Sequence, residues 1–407
     1  MSPLTVVIVN DFGYVNGGAS QVALSSAVEL ARREHDVRLF TAVGPVSPEV
    51  AESRLKVTFL DQHEIISDPK RARAGIQGIW NRRAYKEMLS LLDSLDRRRT
   101  VIHLHIWVKS LSSSAFRAVY DRDFKCVVTV HDFFMACPNG GFFDYPDSRI
   151  CSLRPLSVPC LVRQCDKRSY FQKIWRVIRL LMQRSRGHIP SGVRHFITIS
   201  ELSKRIMQPY LPRQAYIHAV TNPIFVEKQP AASPADNANI VFVGRLDPEK
   251  GPLVFAEAAE RAGVPAVFVG DGRCRAEVFR ICPEAEVTGW LDHREVESRI
   301  REARALVFPS LWYEPQGLTV AEAAAIGVPA VVPDTSVAAE MIIHGDNGLV
   351  FRSGDSQDLA DKLEMLEDSR VARRLGRSAY DKYWKNPATI TRHVRELESV
   401  YKQILGQ

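Results

Sequence analysis

Two glutamates, Glu314 and Glu322, flank the start of a helix that the apolar spacing of Leu318–Ile326 predicts. Gly317 opens this helix, so its amide and those of the next two residues have no intrahelical acceptor. Such amides form an anion site with the helix dipole, and a carboxylate can accept hydrogen bonds from two sugar hydroxyls. The segment therefore predicts a site for a phosphate flanked by sugar hydroxyls. The alternative is that Glu314 is solvated and Glu322 pairs with a nearby cation.

Two cations, Arg245 and Lys250, lie in the loop after the predicted strand Ile240–Val243. Pro252 suits the first turn of the helix that follows. Cations at the carboxyl end of a strand are well placed to hold a diphosphate. On this segment alone, two solvated surface cations are an equally good interpretation.

Two shorter segments follow later strands. Gly270 comes after the predicted strand Ala266–Val269 and would let a ligand approach the backbone, although a plain turn explains it as well. Trp290 and Leu291 end an apolar run that could contact a nucleobase. For Trp290, a position in the core is the favoured interpretation.

His131 directly follows the predicted strand Cys126–Val130, at the edge of a sheet where ligands bind. A single histidine is more often structural, but this position and the neighbouring Asp132 favour contact with a substrate hydroxyl or a backbone carbonyl. No carboxylate is clearly placed as a covalent nucleophile. Asp121 and Asp123 precede a strand rather than follow one, so we interpret them as a solvated turn and not as a metal site.

The composition describes a basic chain with ample material for two cores. Its 407 residues carry a formal net charge of +7, and 45% are hydrophobic. This length suits two domains, and the charge favours anionic partners. Neither a signal peptide nor a run of ~18 apolar residues is visible, and an odd number of cysteines argues against a disulfide framework. We expect a cytoplasmic protein that could lie at the inner face of the cell membrane.

Short apolar runs alternate with helical segments in both halves of the chain, which predicts parallel, doubly wound sheets. The predicted strands are Thr5–Val9, Val37–Thr41, Val101–Ile106, Cys126–Val130, His195–Ile199, Ile240–Val243, Ala266–Val269, Ala305–Phe308 and Ala330–Val332. Predicted helices include Gln21–Arg33, Pro252–Ala262 and Glu295–Ala303. A Pro- and Ala-rich linker at 226–239 separates a first domain (1–225) from a second (240–385). A last helix within 386–407 either closes the second domain or crosses back to the first.

These segments resemble glycosyltransferase family 4, of the GT-B fold. The motifs that carry the resemblance are the glycine loop Asn16–Gln21, the His-Asp strand end Val128–Asp132, Gly244-Arg245 with Lys250, and the E-x7-E pair Glu314 and Glu322. The resemblance extends from Val6 to Val350. It implies two Rossmann-like α/β domains facing across a cleft, with the acceptor on the first domain and the nucleotide sugar on the second.

The resemblance also implies the reaction. A sugar would pass from a nucleoside-diphosphate sugar to a saccharide or lipid-linked acceptor, with retention at the anomeric carbon and without a catalytic metal, as in bacterial cell-surface polysaccharide or glycolipid assembly. Fixed cations and helix amides can stabilise the charge of the leaving diphosphate. Because no nucleophile is evident, we expect a front-face mechanism.

The resemblance assigns roles to individual positions. The catalytic candidates are His131, which would face the transferred sugar, and Glu314, which would hold its hydroxyls. The implied donor-binding residues are Gly17, Gly18, Gly244, Arg245, Lys250, Gly270, Leu291, Gln316, Gly317, Leu318, Thr319 and Glu322. Gln316 departs from the aromatic or small apolar residue common in relatives. The identity of the sugar and the choice between UDP and GDP therefore stay open.

Four cysteines lie in and near an insertion at 133–170, with the spacing C-x13-C-x8-C-x4-C: Cys137, Cys151, Cys160 and Cys165. Together they could bind one structural zinc ion. The alternative is that they are free or buried thiols. A disulfide pair is disfavoured by the expected cytosolic location.

The segment 168–186 is basic and amphipathic. Its apolar side carries Phe171, Ile174, Trp175, Ile178, Leu181 and Met182. Such a helix can lie on an anionic bilayer, which would suit a lipid-linked acceptor. Equally, its apolar side can face the core while the basic side is solvated.

Other functions are compatible with parts of this pattern. A sugar-nucleotide epimerase or a phosphorylase would use the same residues without an external acceptor. A non-catalytic nucleotide-binding protein would transfer nothing, although the full set of site residues argues against it. Nucleic-acid binding is disfavoured because no basic platform with interleaved aromatic residues is evident.

Overall fold

The structure is a computed structural model that describes residues 3–406, divided into two compact units. Unit 1 consists of Met1–Gly141, Leu153–Pro223 and Thr389–Gln407, and unit 2 consists of Phe142–Ser152 and Ile224–Ala388. The segment predicted as a linker packs within unit 2. There the Gln229 carbonyl accepts a hydrogen bond from the Tyr380 hydroxyl at 2.7 Å.

The strands up to residue 223 are β1 (Thr5–Asn10), β2 (Asp36–Val43), β3 (Lys56–Gln62), β4 (Thr100–Ile106), β5 (Lys125–Val130), β6 (Phe143–Asp144), β7 (Arg149–Ile150), β8 (His195–Thr198) and β9 (Tyr216–Ala219). Within the described residues, unit 1 has one parallel sheet in the order β3-β2-β1-β4-β5-β8-β9. Val6–Val9 at its centre are fully buried, as expected of a strand covered on both faces. The short antiparallel hairpin β6–β7 belongs to unit 2.

The remaining strands are β10 (Ile240–Val243), β11 (Ala266–Val269), β12 (Glu286–Gly289), β13 (Ala305–Val307), β14 (Ala330–Pro333) and β15 (Gly348–Phe351). They form a parallel sheet in the order β12-β11-β10-β13-β14-β15. In both units the strand order reverses beside the first strand, which places ligand sites at the carboxyl ends of the central strands.

The helices up to residue 223 are α1 (Gly18–Arg32), α2 (Pro48–Ala51), α3 (Arg71–Ile79), α4 (Arg82–Asp93), α5 (Ser114–Asp121), α6 (Val158–Val162), α7 (Tyr170–Ser185) and α8 (Glu201–Met207). Those that follow are α9 (Pro252–Ala262), α10 (Arg275–Ile281), α11 (His293–Arg301), α12 (Leu318–Ile326), α13 (Ser356–Met365), α14 (Ser369–Lys385) and α15 (Ile390–Leu405). The predicted pair of parallel α/β units is confirmed.

The last helix, α15, packs on the sheet of unit 1. Its side chains Val394, Leu397 and Tyr401 share a core with the first strand. Arg33 at the end of α1 donates two hydrogen bonds to Glu398 of α15, at 2.7 and 3.0 Å. Unit 1 is therefore built from both the amino-terminal and the carboxyl-terminal segments of the described chain.

Candidate functional site

In unit 2, Lys250 and Glu314 form an ion pair at the carboxyl ends of two neighbouring strands. Lys250 ends a short 3-10 turn after β10, and Glu314 lies in the loop between β13 and α12. Gly251 has φ 69°, and a Cβ atom there would lie 2.0 Å from the Pro309 carbonyl oxygen. A glycine is therefore required for these two loops to pack together.

Glu314 is only 7% exposed, so the interpretation of a solvated Glu314 is wrong. Its Oε2 accepts from Lys250, from Trp312 Nε1 at 2.8 Å and from Ser310 Oγ at 3.4 Å. The other carboxylate oxygen, Oε1, takes no part in these contacts. Glu314 is thus a fixed carboxylate that offers one oxygen to a ligand.

Arg245 lies after β10 with its side chain half exposed. It pairs with Asp247 at 3.3 Å and with Glu249 at 3.4 Å. The backbones on either side are close, because a Cβ atom on Gly270 would lie 2.0 Å from the Gly244 carbonyl oxygen. The carboxyl ends of β10 and β11 therefore lie close together, next to the Arg245 guanidinium that its two ion pairs fix in place.

Helix α12 begins at Leu318, with Gly317 as its N-cap residue, as the sequence predicts. A Cβ atom on Gly317 would lie 2.6 Å from Met341 Cε, so a larger residue would displace a neighbour. The Thr319 hydroxyl is buried and has no hydrogen-bond partner among residues 3–406. Gln316 is half-buried in the preceding loop. The start of α12 therefore presents first-turn amides and a buried hydroxyl to an anion.

Glu322, one turn into α12, is half-buried. Burial raises the pKa of this carboxyl, with a smaller opposing effect of His293. In the part of the chain that the structure describes, Glu322 forms no ion pair, so the interpretation of Glu322 as the partner of a nearby cation is not supported. A ligand hydroxyl could donate a hydrogen bond to the Glu322 carboxylate.

Trp290 is 67% exposed, so its expected place in the core is wrong. It directly follows β12, an edge strand, and points out of the protein. Leu291 is half-buried against the core below.

In unit 1, His131 follows β5 and is buried against a second histidine of β4. His131 Nε2 lies 2.9 Å from His105 Nδ1, with the two rings stacked at 5.2 Å. Burial, with a smaller effect of His393, lowers the pKa of His131 to about 3. His131 is therefore neutral at physiological pH.

The contacts of His105 indicate which ring nitrogen of His131 carries the proton. Within the described chain, His105 Nε2 is buried without a partner. A buried lone pair is tolerated better than a buried orphan N–H. His105 should therefore be protonated at Nδ1 and donate to His131 Nε2. His131 is then protonated at Nδ1.

His105 in turn contacts the ring of His103, with the ring centroids 4.0 Å apart and the ring planes tilted by 36°. His103 contacts the Tyr401 hydroxyl of α15 at 2.6 Å and Thr129 Oγ1 at 2.7 Å. Two residues apart on β4, His103 and His105 lie on one face of the sheet. That alternation was the sequence signal for a histidine cluster, and our sequence analysis missed it.

Asp11 is a second buried polar residue that the sequence analysis missed. Its carboxylate accepts from the backbone amides of Lys109, Ser110 and Leu111, at 2.6 to 3.0 Å. Burial raises the pKa of Asp11 to about 6, and these hydrogen bonds act against that rise. A charged residue directly after the buried strand β1 was the available signal.

The glycine loop of unit 1 leads into α1. Gly17 is the N-cap residue, with φ 103°, and the position that a Cβ atom would take is open. Gly18 is the first residue of the helix. The loop is thus shaped for a close backbone approach by a ligand.

Three of the four cysteines of the proposed zinc site, Cys137, Cys160 and Cys165, are buried in unit 1 near Lys173. Lys173 is fully buried, and its Nζ lies 2.9 Å from Cys165 Sγ and 2.9 Å from the Cys160 carbonyl oxygen. Burial lowers the pKa of Lys173, but Cys165 and the other two thiols outweigh this effect and leave the pKa raised. A buried ammonium favours thiolates, the form that binds zinc.

Metal ligands are not assembled in this structure. Across residues 3–406, no group of three or more His, Cys, Asp or Glu side chains is arranged to hold a metal ion. Cys151 lies in the segment 142–152 of unit 2. Zinc binding by the four cysteines stays a prediction.

Helix α7 exposes its apolar side, so the expectation of a core-facing apolar side is wrong. Phe171 is 76% exposed, and Ile174, Ile178 and Leu181 are 43 to 49% exposed. The polar side faces inward, where Arg176 pairs with Asp166 at 3.1 Å. Two exposed side chains of α6, Val158 and Val162, add to the apolar surface of unit 1.

Over the described residues, no helix combines the length and the apolar character needed to cross a membrane.

Two family models match the chain. The model described as Glycosyltransferase Family 4 matches residues 16–228. The model described as Glycosyl transferases group 1 matches residues 224–382.

Curated relatives match part of the chain. A glycogen synthase of Mycobacterium tuberculosis is 29% identical over 218 residues, which cover 48% of this chain and 52% of that protein. A UDP-Gal:alpha-D-GlcNAc-diphosphoundecaprenol alpha-1,3-galactosyltransferase of Escherichia coli is 25% identical over 39% of this chain and 44% of its own length. The chain therefore spans about half the length of the curated relatives it matches.

Among solved structures, Anabaena HepE in complex with UDP and glucose is similar, with a TM-score of 0.69. The match covers 98% of this chain and 100% of that one, at 14% sequence identity. At this identity the likeness shows the fold alone, and it confirms the predicted GT-B class.

Proposed function

This chain belongs to glycosyltransferase family 4, and from that premise we propose that it is a retaining, metal-independent glycosyltransferase. Its donor is a nucleoside-diphosphate sugar, and its acceptor is a saccharide or a lipid-linked saccharide. The observation that carries the proposal is the Lys250–Glu314 pair beside the open start of α12. A single ligand with a diphosphate and sugar hydroxyls could bind the Lys250 ammonium, the Glu314 carboxylate and the first-turn amides of α12.

The donor site follows from unit 2. Arg245, Lys250 and the amides at Gly317 to Thr319 would hold the diphosphate. The free oxygen of Glu314 would accept from sugar hydroxyls, and Glu322 would accept from the ribose. Because its pKa is raised by burial, Glu322 gains from hydroxyl partners that replace the water it has lost.

Loss of the diphosphate builds negative charge on its leaving oxygen. Lys250 is held by Glu314, with its Nζ 5.5 Å from the centre of the Trp312 ring, so this cation does not have to reorganise as the charge develops. Preorganised charges of this kind account for much of enzymatic rate enhancement. The helix amides add to them and supply the role that a divalent cation has in metal-dependent transferases.

We propose retention by a front-face mechanism, in which the acceptor hydroxyl attacks on the side that the diphosphate leaves. A covalent route needs an available carboxylate. Asp11 at the end of β1 is fully engaged by three backbone amides and is poorly suited to that role. His131, neutral and buried, would face the transferred sugar.

The acceptor side includes a membrane contact in this proposal. The exposed apolar stripe of α7 and the side chains of α6 would enter the surface of an anionic bilayer, flanked by Lys167, Arg168 and Arg186. A diphosphoprenyl-linked acceptor is printed in the name of the Escherichia coli relative and is consistent with this surface. The proposed location is the cytoplasmic face of the membrane.

A screen of nucleotide sugars identifies the donor. UDP- and GDP-sugars are compared by the rise in melting temperature, and the stabilising donor is then incubated with acceptors. Product mass shows whether a glycoside forms. The proposal fails if no nucleotide sugar is bound or consumed.

A further inference from the structure

A basic pocket of about 230 Å³ lies in unit 1, beside α7. Its walls come from the carboxyl ends of three parallel strands: Ile65 after β3, Val108 after β4, and Phe134 after β5. Phe134 is three residues beyond His131. The pocket therefore lies on the edge of the sheet where a ligand is expected.

The charged residues that line this pocket are basic. Five cations line it, namely Arg71, Lys109, Arg168, Arg176 and Arg179, and none of the described lining residues is an aspartate or glutamate. Two of the cations pair with carboxylates outside the lining, Lys109 with Glu64 at 3.5 Å and Arg176 with Asp166 at 3.1 Å. Within residues 3–406, the other three form no ion pair, although the charges of Asp132, Asp11 and Asp166 act on Arg179 and raise its pKa.

Arg179 is the most constrained of these cations. Its guanidinium is stacked 4.6 Å from the Phe134 ring centre and 5.3 Å from that of Trp175. One nitrogen donates to the Val108 carbonyl at 3.2 Å, which leaves further N–H groups of the planar fork for a ligand. Burial, followed by the charge of Arg176, lowers the pKa of Arg179 to about 9. A bound anion would stabilise the charged guanidinium against both its burial and the repulsion from Arg176.

The pocket opens onto the apolar surface of α7. Phe171 lines the pocket and is also 76% exposed, so one side chain belongs to both. Ile174 and Ile178 continue the exposed stripe along the helix. An apolar chain attached to an anionic group in the pocket could therefore lie along these side chains.

We propose that this pocket binds the phosphate or diphosphate of a lipid-linked acceptor, with the prenyl or acyl chain lying over the apolar face of α7. The inference rests on the proposed function and names the acceptor class. The pocket is smaller than the ~300–1,000 Å³ of sites that enclose a whole drug-sized ligand, which suits a headgroup better than an oligosaccharide. Planar guanidinium groups bind phosphate oxygens in pairs.

The test measures binding of farnesyl diphosphate, inorganic diphosphate and phosphatidylglycerol vesicles to the full chain. Farnesyl diphosphate should bind at least about tenfold more tightly than inorganic diphosphate, because the apolar chain adds buried surface. Arg168→Gln and Arg179→Lys should each weaken farnesyl diphosphate binding about tenfold or more. Arg82→Gln, on exposed α4 outside the pocket, is the matched control and should bind as wild type.

Three outcomes would overturn the proposal. Equal binding of inorganic and farnesyl diphosphate would make this a free-phosphate site. Arg168 is exposed, so Arg168→Gln should not disturb folding. If this variant binds farnesyl diphosphate with wild-type affinity, the ligand lies elsewhere. An equal loss of phosphatidylglycerol binding in Arg179→Lys, whose side chain is not among those placed at the bilayer surface, would show a general anionic contact. Nucleotide-sugar binding is measured in the same samples, so failure of the donor site is distinguished from failure of the pocket.

Discussion

His131 Nε2 and His105 Nδ1 lie 2.9 Å apart in the interior of unit 1. The histidine predicted from a strand end is thus oriented by a second histidine within the sheet. His105 also contacts the ring of His103, which lies within hydrogen-bond distance of Thr129 and of Tyr401 in the last helix. The cluster therefore connects the proposed catalytic residue to that helix.

Removing the His105 nitrogens should slow transfer without unfolding the protein. His105→Phe keeps a ring of similar shape but leaves His131 without its orienting donor, so we expect kcat to fall roughly tenfold or more. The KM for the donor should change little. His105→Gln, which keeps a donor, should recover part of the rate. A folded His105→Phe protein with wild-type kcat would show that His131 needs no such partner.

Stability should fall as the pH is lowered from neutrality. The folded pKa of His131 is about 3, and those of His103 and His105 are also lowered by burial, whereas an unfolded histidine titrates near ~6.5. The unfolded chain thus binds more protons below about pH 6.5, and the stability present above that pH is lost as pH falls towards 3.

Asp11 acts in the opposite direction, because its folded pKa of about 6 lies above its unfolded value. Its contribution is present at low pH and is lost as pH rises through 6. Three histidines outweigh one aspartate, so the melting temperature should decrease from about pH 7 to 5, and more steeply in Asp11→Asn. A melting temperature that is constant or rises on acidification would contradict the buried, neutral cluster.

If the four cysteines bind zinc, purified protein should contain close to one equivalent of the metal. Cys160→Ala and Cys165→Ala should lose the metal, because each removes one of the four sulfur ligands. Cys282→Ser changes a buried cysteine of unit 2 and should retain it. Less than half an equivalent of zinc in the wild type would reject the zinc site.

Exposed side chains of α7, rather than its arginines, should decide membrane binding. Phe171→Ser combined with Ile178→Ser should reduce co-sedimentation with anionic vesicles and leave the melting temperature unchanged. Substitution of Arg176 or Arg179 would disturb internal contacts instead. Ile343→Ser, at a 59% exposed position of unit 2, is the control. Undiminished co-sedimentation of the double variant would argue against docking through α7.

Prediction from sequence succeeded where burial is strongest. The nine predicted strands lie within two residues of their observed bounds, because central parallel strands are continuous apolar runs. Four of the strands that it missed, β3, β9, β12 and β15, are the outer strands of the two described parallel sheets. The other two, β6 and β7, form the two-residue hairpin, which is too short to give a pattern. In β3, for example, most side chains are at least partly exposed, which weakens the apolar run.

The sequence proposed residues for the candidate site but could not show the contacts between them. Glu314 and Lys250 are 64 positions apart, and nothing in the local pattern shows that the loop after β13 meets the loop after β10. For α7, the amphipathic pattern showed two faces but not which one turns inward. The inward direction is set by internal partners: Asp166 and the Asn139 carbonyl for Arg176, and the Val108 carbonyl for Arg179. Two of these partners lie 37 and 71 positions away in the chain.

The most direct test of the account is the mass of the product formed from a nucleotide sugar and an acceptor. Wild-type protein should release the nucleoside diphosphate and add one sugar to the acceptor. Glu314→Gln and Lys250→Ala should each lower the rate by roughly 100-fold, as expected for loss of a preorganised charge. Arg280→Gln, an exposed cation of α10, should not. An epimer or sugar phosphate formed without acceptor, or wild-type rates in both site variants, would contradict the account.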